Sequence, residues 1–88
     1  MRISWLVWND WNRDHIARHG ITQDEIEEIL EGRNIRRKTR SGCYMIFGQS
    51  FAGRYLTVVL SPRTNESFYV VTAREMNGSE KKWFRKRL

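Results

Sequence analysis

Two apolar runs joined by a short polar segment constrain this chain more than any other feature. Tyr55-Leu56-Thr57-Val58-Val59-Leu60 is rich in β-branched and aromatic residues and holds no Gly or Pro. That composition reads as a strand. Ser61-Pro62-Arg63-Thr64-Asn65-Glu66 follows with turn chemistry, and Phe68-Tyr69-Val70-Val71-Thr72-Ala73 reads as a second strand ending at Arg74. The pairing predicts a hairpin. The first run is almost unbroken in its apolarity, so both its faces are expected to be covered and the strand to be central. Arg54 and Arg74 flank the two strands, where a guanidinium can face a groove.

The rest of the chain must pack around that hairpin. Residues 1–8 look extended, with Ile3, Trp5 and Val7 alternating with their neighbours. Asn9 or Asp10 can cap a helix running to about His19, with Gly20 just beyond its end. On that helix Trp8, Trp11 or Asn12, His15 or Ile16, and His19 share a side. Thr22-Gln23-Asp24-Glu25 is a capping box for a second helix with the apolar stripe Ile26, Ile29 and Leu30, closed by Gly32. The cationic run Arg33 to Arg40 predicts an exposed edge strand, where charge discourages aggregation. Ser41-Gly42 forms a turn, Cys43 to Ser50 a further strand, and Asn77 or Ser79 caps a last helix from Glu80 to about Lys86. The expected fold is α+β: two N-terminal helices, a four-stranded antiparallel meander and a C-terminal helix, in a single domain over residues 1–88.

Composition narrows the function classes. The 88 residues suffice for one domain and not two, and the mean hydropathy of −0.67 goes with the lack of any apolar run long enough to span a bilayer. The N-terminal stretch is too short for a signal segment, and the single Cys43 excludes an internal disulfide and a Cys-based zinc cluster. A cytoplasmic protein without a membrane partner is expected. Net charge is +6 with a pI of about 10.1, and Asp24, Glu25, Glu27, Glu28 and Glu31 are confined to one segment. The remainder is therefore more basic than the total, and favours an anionic partner, nucleic acid or an acidic protein. Arg outnumbers Lys three to one, which suits phosphate and base contacts.

Candidate chemistry is cationic, aromatic and free of a cofactor motif. There is no Gly-rich phosphate loop, no nucleophile elbow and no metal-binding Cys pair. His15 and His19 lie at i and i+4 on one helix face. Two His make an incomplete metal site. They can equally pack against the sheet, serve catalysis or contact RNA, since imidazole titrates near neutrality. Arg36, Arg37, Lys38, Arg40, Tyr44, Lys81, Trp83 and Phe84 form a candidate RNA-binding set in which cations hold phosphates and rings stack on bases. Cleavage of RNA by its own 2′-hydroxyl needs a base, an acid and cations for the phosphorane, which His, Glu, Tyr and Arg supply without metal.

A family resemblance then sharpens the reading. Trp8 precedes the first helix, and His19-Gly20-Ile21 leads to the acidic helix with Asp24-Glu25. Gly53-Arg54 opens the strand Tyr55 to Val59, Thr72-Ala73-Arg74 closes the next, and Glu80 sits in the last helix. In this order the chain, over nearly its whole length, resembles the BrnT-type toxins of the RelE/ParE-like superfamily in bacterial type II toxin–antitoxin pairs. The resemblance implies a ribonuclease that inhibits translation, with RNA as substrate. It also implies a cognate antitoxin with a DNA-binding domain, through which the pair would reach operator DNA. Carried over by position, Arg54, Arg74, His19 and Glu80 match the family's residues, and His15 is an addition. The family commonly has Tyr four residues after the last-helix Glu, where this chain has Phe84; if that phenol does chemistry, this chain lacks it or uses Tyr44 or Tyr55. The expected function is a metal-independent endoribonuclease toxin without cofactor. In it Arg54 and Arg74 would bind the scissile phosphate, His15 or His19 would act as base or acid, and Tyr44 with Trp83 and Phe84 would position bases. A catalytically degenerate RNA- or antitoxin-binding module, a toxin acting on a protein target, and a structural protein are the alternatives.

Overall fold

The computed structural model describes residues 2–88; Met1, first in the stretch expected to be extended, lies outside them. In chain order the elements are β1 (Trp5–Val7), α1 (Asp10–Ala17), α2 (Gln23–Glu31), β2 (Asn34–Lys38), β3 (Tyr44–Gln49), β4 (Tyr55–Pro62), β5 (Ser67–Glu75) and α3 (Gly78–Arg85). The strands form one sheet in the order β1-β5-β4-β3-β2. The apolar run at 55–60 is the middle strand, and the cationic strand β2 is at one edge, both as expected. The sheet has five strands and is mixed, not four and antiparallel: β1 adds to the outer edge of β5 in parallel, Trp5 opposite Ser67 and Val7 opposite Tyr69. Leu6, between them, packs against the main core, which is what a three-residue strand contributes here.

The two faces of the sheet are unequal. Helices α1 and α2 cover one with Ile16, Ile21, Ile26 and Ile29, which meet Ile46, Leu56, Val58, Leu60, Phe68, Val70 and Ala73. α3 covers part of the other with Phe84, over Phe47 and Met76. Val59, Tyr69 and Thr72 on that second face remain only partly covered. A register shift at Val59/Leu60 opposes Val59 to Thr72 but Leu60 to Val70, so Val71 is the extra residue of a bulge. Val70 and Ala73, three apart, can thereby both serve the main core, while Thr72 and Arg74 share the opposite face.

All three helices start with reciprocal capping boxes: Asn9 with Asn12, Thr22 with Glu25, and Asn77 with Glu80. The first helix stops at Ala17, short of the expected His19, and Gly20 takes the left-handed conformation at φ 71°. Its inward side chains are Asn12 and Ile16; Trp11 is exposed and His15 half-exposed. Asn12 is fully buried and donates from Nδ2 to the Val7 carbonyl at 2.9 Å, which ties α1 to β1.

Gly48 marks where α2 lies closest to the sheet. A Cβ there would overlap the Cγ2 of fully buried Ile29 and come within 3.3 Å of its Cβ. That methyl is fixed to a branched carbon and has nowhere to go. Gly48→Ala is expected to cost about 1 kcal/mol through overpacking. The fall in melting temperature by circular dichroism would be about 4–8 °C.

Candidate functional site

Register places the candidate side chains. On the face that α3 partly covers, Ile35, Phe47, Thr57 and Arg74 form one cross-strand row, and Arg37, Met45, Val59 and Thr72 form the next. Thr72 and Arg74 are therefore neighbours on one face of β5, roughly 7 Å apart. α1 runs beside β5 and delivers His15 to this face: an imidazole nitrogen, Nε2, lies 3.0 Å from Thr72 Oγ1. Trp11 stacks flat on the His15 ring at 5.0 Å between centroids, and His19 meets its edge at 5.6 Å. The sequence-predicted His15 and the Arg74–Glu80 pair are thus on the same face, His15 against Thr72 two residues from Arg74, with exposed His19 one step outward.

Arg74 and Glu80 form a fork-to-fork pair, Nη1 to Oε1 at 2.6 Å and Nη2 to Oε2 at 2.8 Å. Glu80 Oε1 also accepts from the Asn77 amide at 3.0 Å as the capping-box carboxylate of α3. One side chain thereby starts the helix and aims the arginine. With a bond to the Glu75 carbonyl at 3.2 Å, Arg74 uses three of its five N–H donors. The others can meet an anion while the fork is held. The hydrogen bond from Arg74, ahead of the Asn77 amide, holds the Glu80 carboxyl below the usual range, against desolvation that pushes it up; Glu80 in turn raises Arg74. The Thr57 hydroxyl lies beneath, buried and without a full hydrogen bond, yet near enough to Glu80 to help lower it.

A lowered carboxyl contributes stability above its unfolded value, about 4.3, and loses it as pH falls through the folded value. Arg74 is 43% exposed, so the contribution is below about 1 kcal/mol. Glu80→Gln is expected to melt a few degrees lower than the parent at pH 7. The gap should narrow as the pH falls below about 4.3, as read by thermal melts across that range.

The other predicted residues divide. Arg37 faces the same side as Arg74 and lies over the Trp83 ring at 5.5 Å, with Arg87 at 4.4 Å from it. Lys81 lies over the Tyr55 ring at 5.5 Å on the same helix as Trp83. Arg40 is exposed in the β2–β3 turn. Arg36 and Lys38, one residue either side of Arg37, are opposite Ile46 and Tyr44 and so face the α1–α2 side. Tyr44 is on that side too, edge-on to Phe68 at 5.9 Å and packed on the main core. Phe84 is fully buried against Tyr55, so it cannot stack on a base as expected.

Arg54 is the main correction. It lies on the α1–α2 side, where Nη1 donates to Glu25 Oε1 at 3.0 Å and Oε2 at 2.9 Å and to the Gly20 carbonyl at 2.8 Å. Its Nη2 is 3.6 Å from Glu75. Arg54 and Arg74 are on opposite faces of the sheet and cannot grip one phosphate. Thr57, Thr72 and Trp11 are the members that sequence reasoning missed; the i, i+4, i+8 spacing of Trp11, His15 and His19 was the available signal. Among the described residues, no group of three or more His, Cys, Asp or Glu is placed to hold a metal ion.

Together, the fold and this face define a small α+β protein that presents an arginine–glutamate pair, a histidine stacked on an exposed tryptophan and a cation-flanked tryptophan over an incompletely covered sheet. A solved structure with the same architecture is that of the Brucella abortus ribonuclease toxin BrnT, with a TM-score of 0.63 and 22% identity over 88% of this chain and 97% of that one. The likeness establishes a BrnT-type fold. No family model and no curated protein matches the chain.

Proposed function

We propose that this protein is a metal-independent endoribonuclease toxin that blocks translation by cutting RNA, kept in check by a cognate antitoxin. The observation that carries the reading is the placement of His15, through Thr72, beside Arg74 on one open face. A phosphodiester lying over Thr72 would meet imidazole on one side and guanidinium on the other. In the reaction a base takes the proton of the 2′-hydroxyl and the 2′-oxygen attacks phosphorus. The bond to the 5′-oxygen breaks, and that oxygen leaves with a proton from an acid. His15, with His19 behind it, supplies one proton-transfer role. Arg74 stabilises the phosphorane, and Glu80 positions Arg74.

The fold likeness to a ribonuclease toxin supports this reading, as do the net charge of +6 and the cation-rich rim. Phe84 in place of the family's Tyr does not by itself favour a degenerate module, because the side chain at that position is fully buried. The wider RelE/ParE relationship, an antitoxin with a DNA-binding domain acting at operator DNA, and a cytoplasmic location belong to the same proposal. So does a single toxin domain.

The test is induction from a tightly controlled promoter with mapping of cellular RNA 5′ ends. New, sequence-biased ends and growth arrest, both absent with Arg74→Ala, are the expected outcome. Growth arrest with intact transcripts would replace this reading with a protein target.

A further inference from the structure

Trp11 is 62% exposed, and its position makes that exposure informative. One face of the indole lies flat on His15, the ring that reaches Thr72 beside Arg74. Most of the rest of the side chain is exposed to solvent. Across the site is a second tryptophan, Trp83, edge-on to Phe47 at 5.1 Å and flanked by Arg37 and Arg87. A cleft of about 330 Å³ opens beside it, lined by Arg37, Met45, Phe47, Ser79, Glu80 and Trp83. Thr72, Val59, Met45 and Arg37 are successive partners across four adjacent strands. Three strand spacings separate the ends of that row, about 14 Å.

We propose that Trp11 is a nucleobase-stacking platform which, with the Trp83 cleft, brackets the phosphate site, so that the substrate is single-stranded RNA with unstacked bases on both sides of the scissile phosphate. This rests on the ribonuclease reading of the same face. An aromatic ring with one free face binds any base by stacking, and a cation-flanked cleft takes a base edge and the phosphate next to it. A duplex offers neither: its bases are stacked on each other and its wide groove shows sugar hydroxyls rather than ring faces. Two platforms separated by the Thr72–Arg74 centre would also splay the strand there, which frees the 2′-oxygen to line up behind phosphorus.

The experiment measures fluorescence anisotropy of a dye-labelled, fully 2′-O-methylated oligoribonucleotide, which binds but cannot be cut. The wild type is compared with Trp11→Ala and Trp11→Phe, and the single strand with its annealed duplex. Trp11→Ala is expected to weaken binding about tenfold. Trp11→Phe should restore most of it, melting temperatures should be unchanged, and the duplex should bind at least tenfold more weakly than the strand. Unchanged binding by Trp11→Ala, or a duplex bound as tightly as the strand, overturns the proposal. Cleavage of an unmodified strand by the wild type is read in parallel. If cleavage is present while Trp11→Ala binds normally, only the platform fails and Trp11 is left as a support for His15 or a protein contact. If the wild type binds with the Trp11 dependence yet leaves RNA intact, only the ribonuclease reading fails. A wild type that neither binds nor cleaves overturns both.

Discussion

Arg74→Ala is expected to reduce the rate of RNA cleavage by about 100-fold or more, the usual loss when one fixed donor to a developing oxyanion is removed. The size follows from how Arg74 is held. Its guanidinium is pinned by two bonds to Glu80, at 2.6 and 2.8 Å, and Glu80 is itself pinned by the start of α3. A donor fixed before the reaction needs no reorganisation when charge builds on phosphorus, so its removal is felt mainly in the transition state. Arg74→Lys should recover only part of the rate. An ammonium is a point charge and cannot satisfy both Glu80 oxygens and a phosphate in one plane. The pair is partly exposed, 43% at Arg74 and 18% at Glu80, so the same substitution should lower the melting point by no more than a few degrees. Single-turnover rates on a short single-stranded RNA, with thermal melts of each variant, check both parts. A folded Arg74→Ala protein that cleaves at the parental rate would remove Arg74 from the centre.

Local chemistry made much of this molecule legible. The β4–β5 hairpin was readable because two apolar runs bracket a polar loop, and the α2 cap because Thr22 and Glu25 stand at the right spacing. β1 was not, because its three residues pair with β5 some 60 positions away, and nothing in so short a run announces a parallel partner. Which face each side chain takes was the larger gap. β4 is apolar on both sides, so no alternation marks its two faces, and Arg54 and Arg74 looked equally able to share a groove. Their separation depends on the pairing of Thr57 with Arg74 and on the extra residue at Val71, both properties of register. The helix caps were visible in sequence, but their second use was not. Glu25 and Glu80 each begin a helix and each grip an arginine, one just before β4 and one in β5, on either face of the sheet. That doubling requires tertiary proximity, across 29 residues in the case of Arg54.

Arg54→Ala is expected to do the reverse of Arg74→Ala: to lower stability by about 2 kcal/mol while cleavage by the folded protein is nearly unchanged. Arg54 ties three separate parts of the helical side together, the α1–α2 turn through the Gly20 carbonyl, the start of α2 through Glu25, and the end of β5 near Glu75. Glu25 is only 15% exposed, so removing its partner leaves a carboxylate that water reaches poorly and a carbonyl without its donor. A loss of this size in a domain of this length corresponds to a fall of about 10 °C in melting temperature. No atom of the proposed centre need move, because the His15–Thr72 contact and the Arg74–Glu80 fork are on the other face. Thermal melts with cleavage assayed well below the transition separate the two quantities. A matching double variant, Arg54→Met with Glu25→Gln, should recover part of the stability by removing the stranded charge as well. If Arg54→Ala instead keeps its melting point and loses cleavage, Arg54 acts on substrate. The RNA path would then have to cross the α1–α2 side, in conflict with a centre built on Thr72 and Arg74.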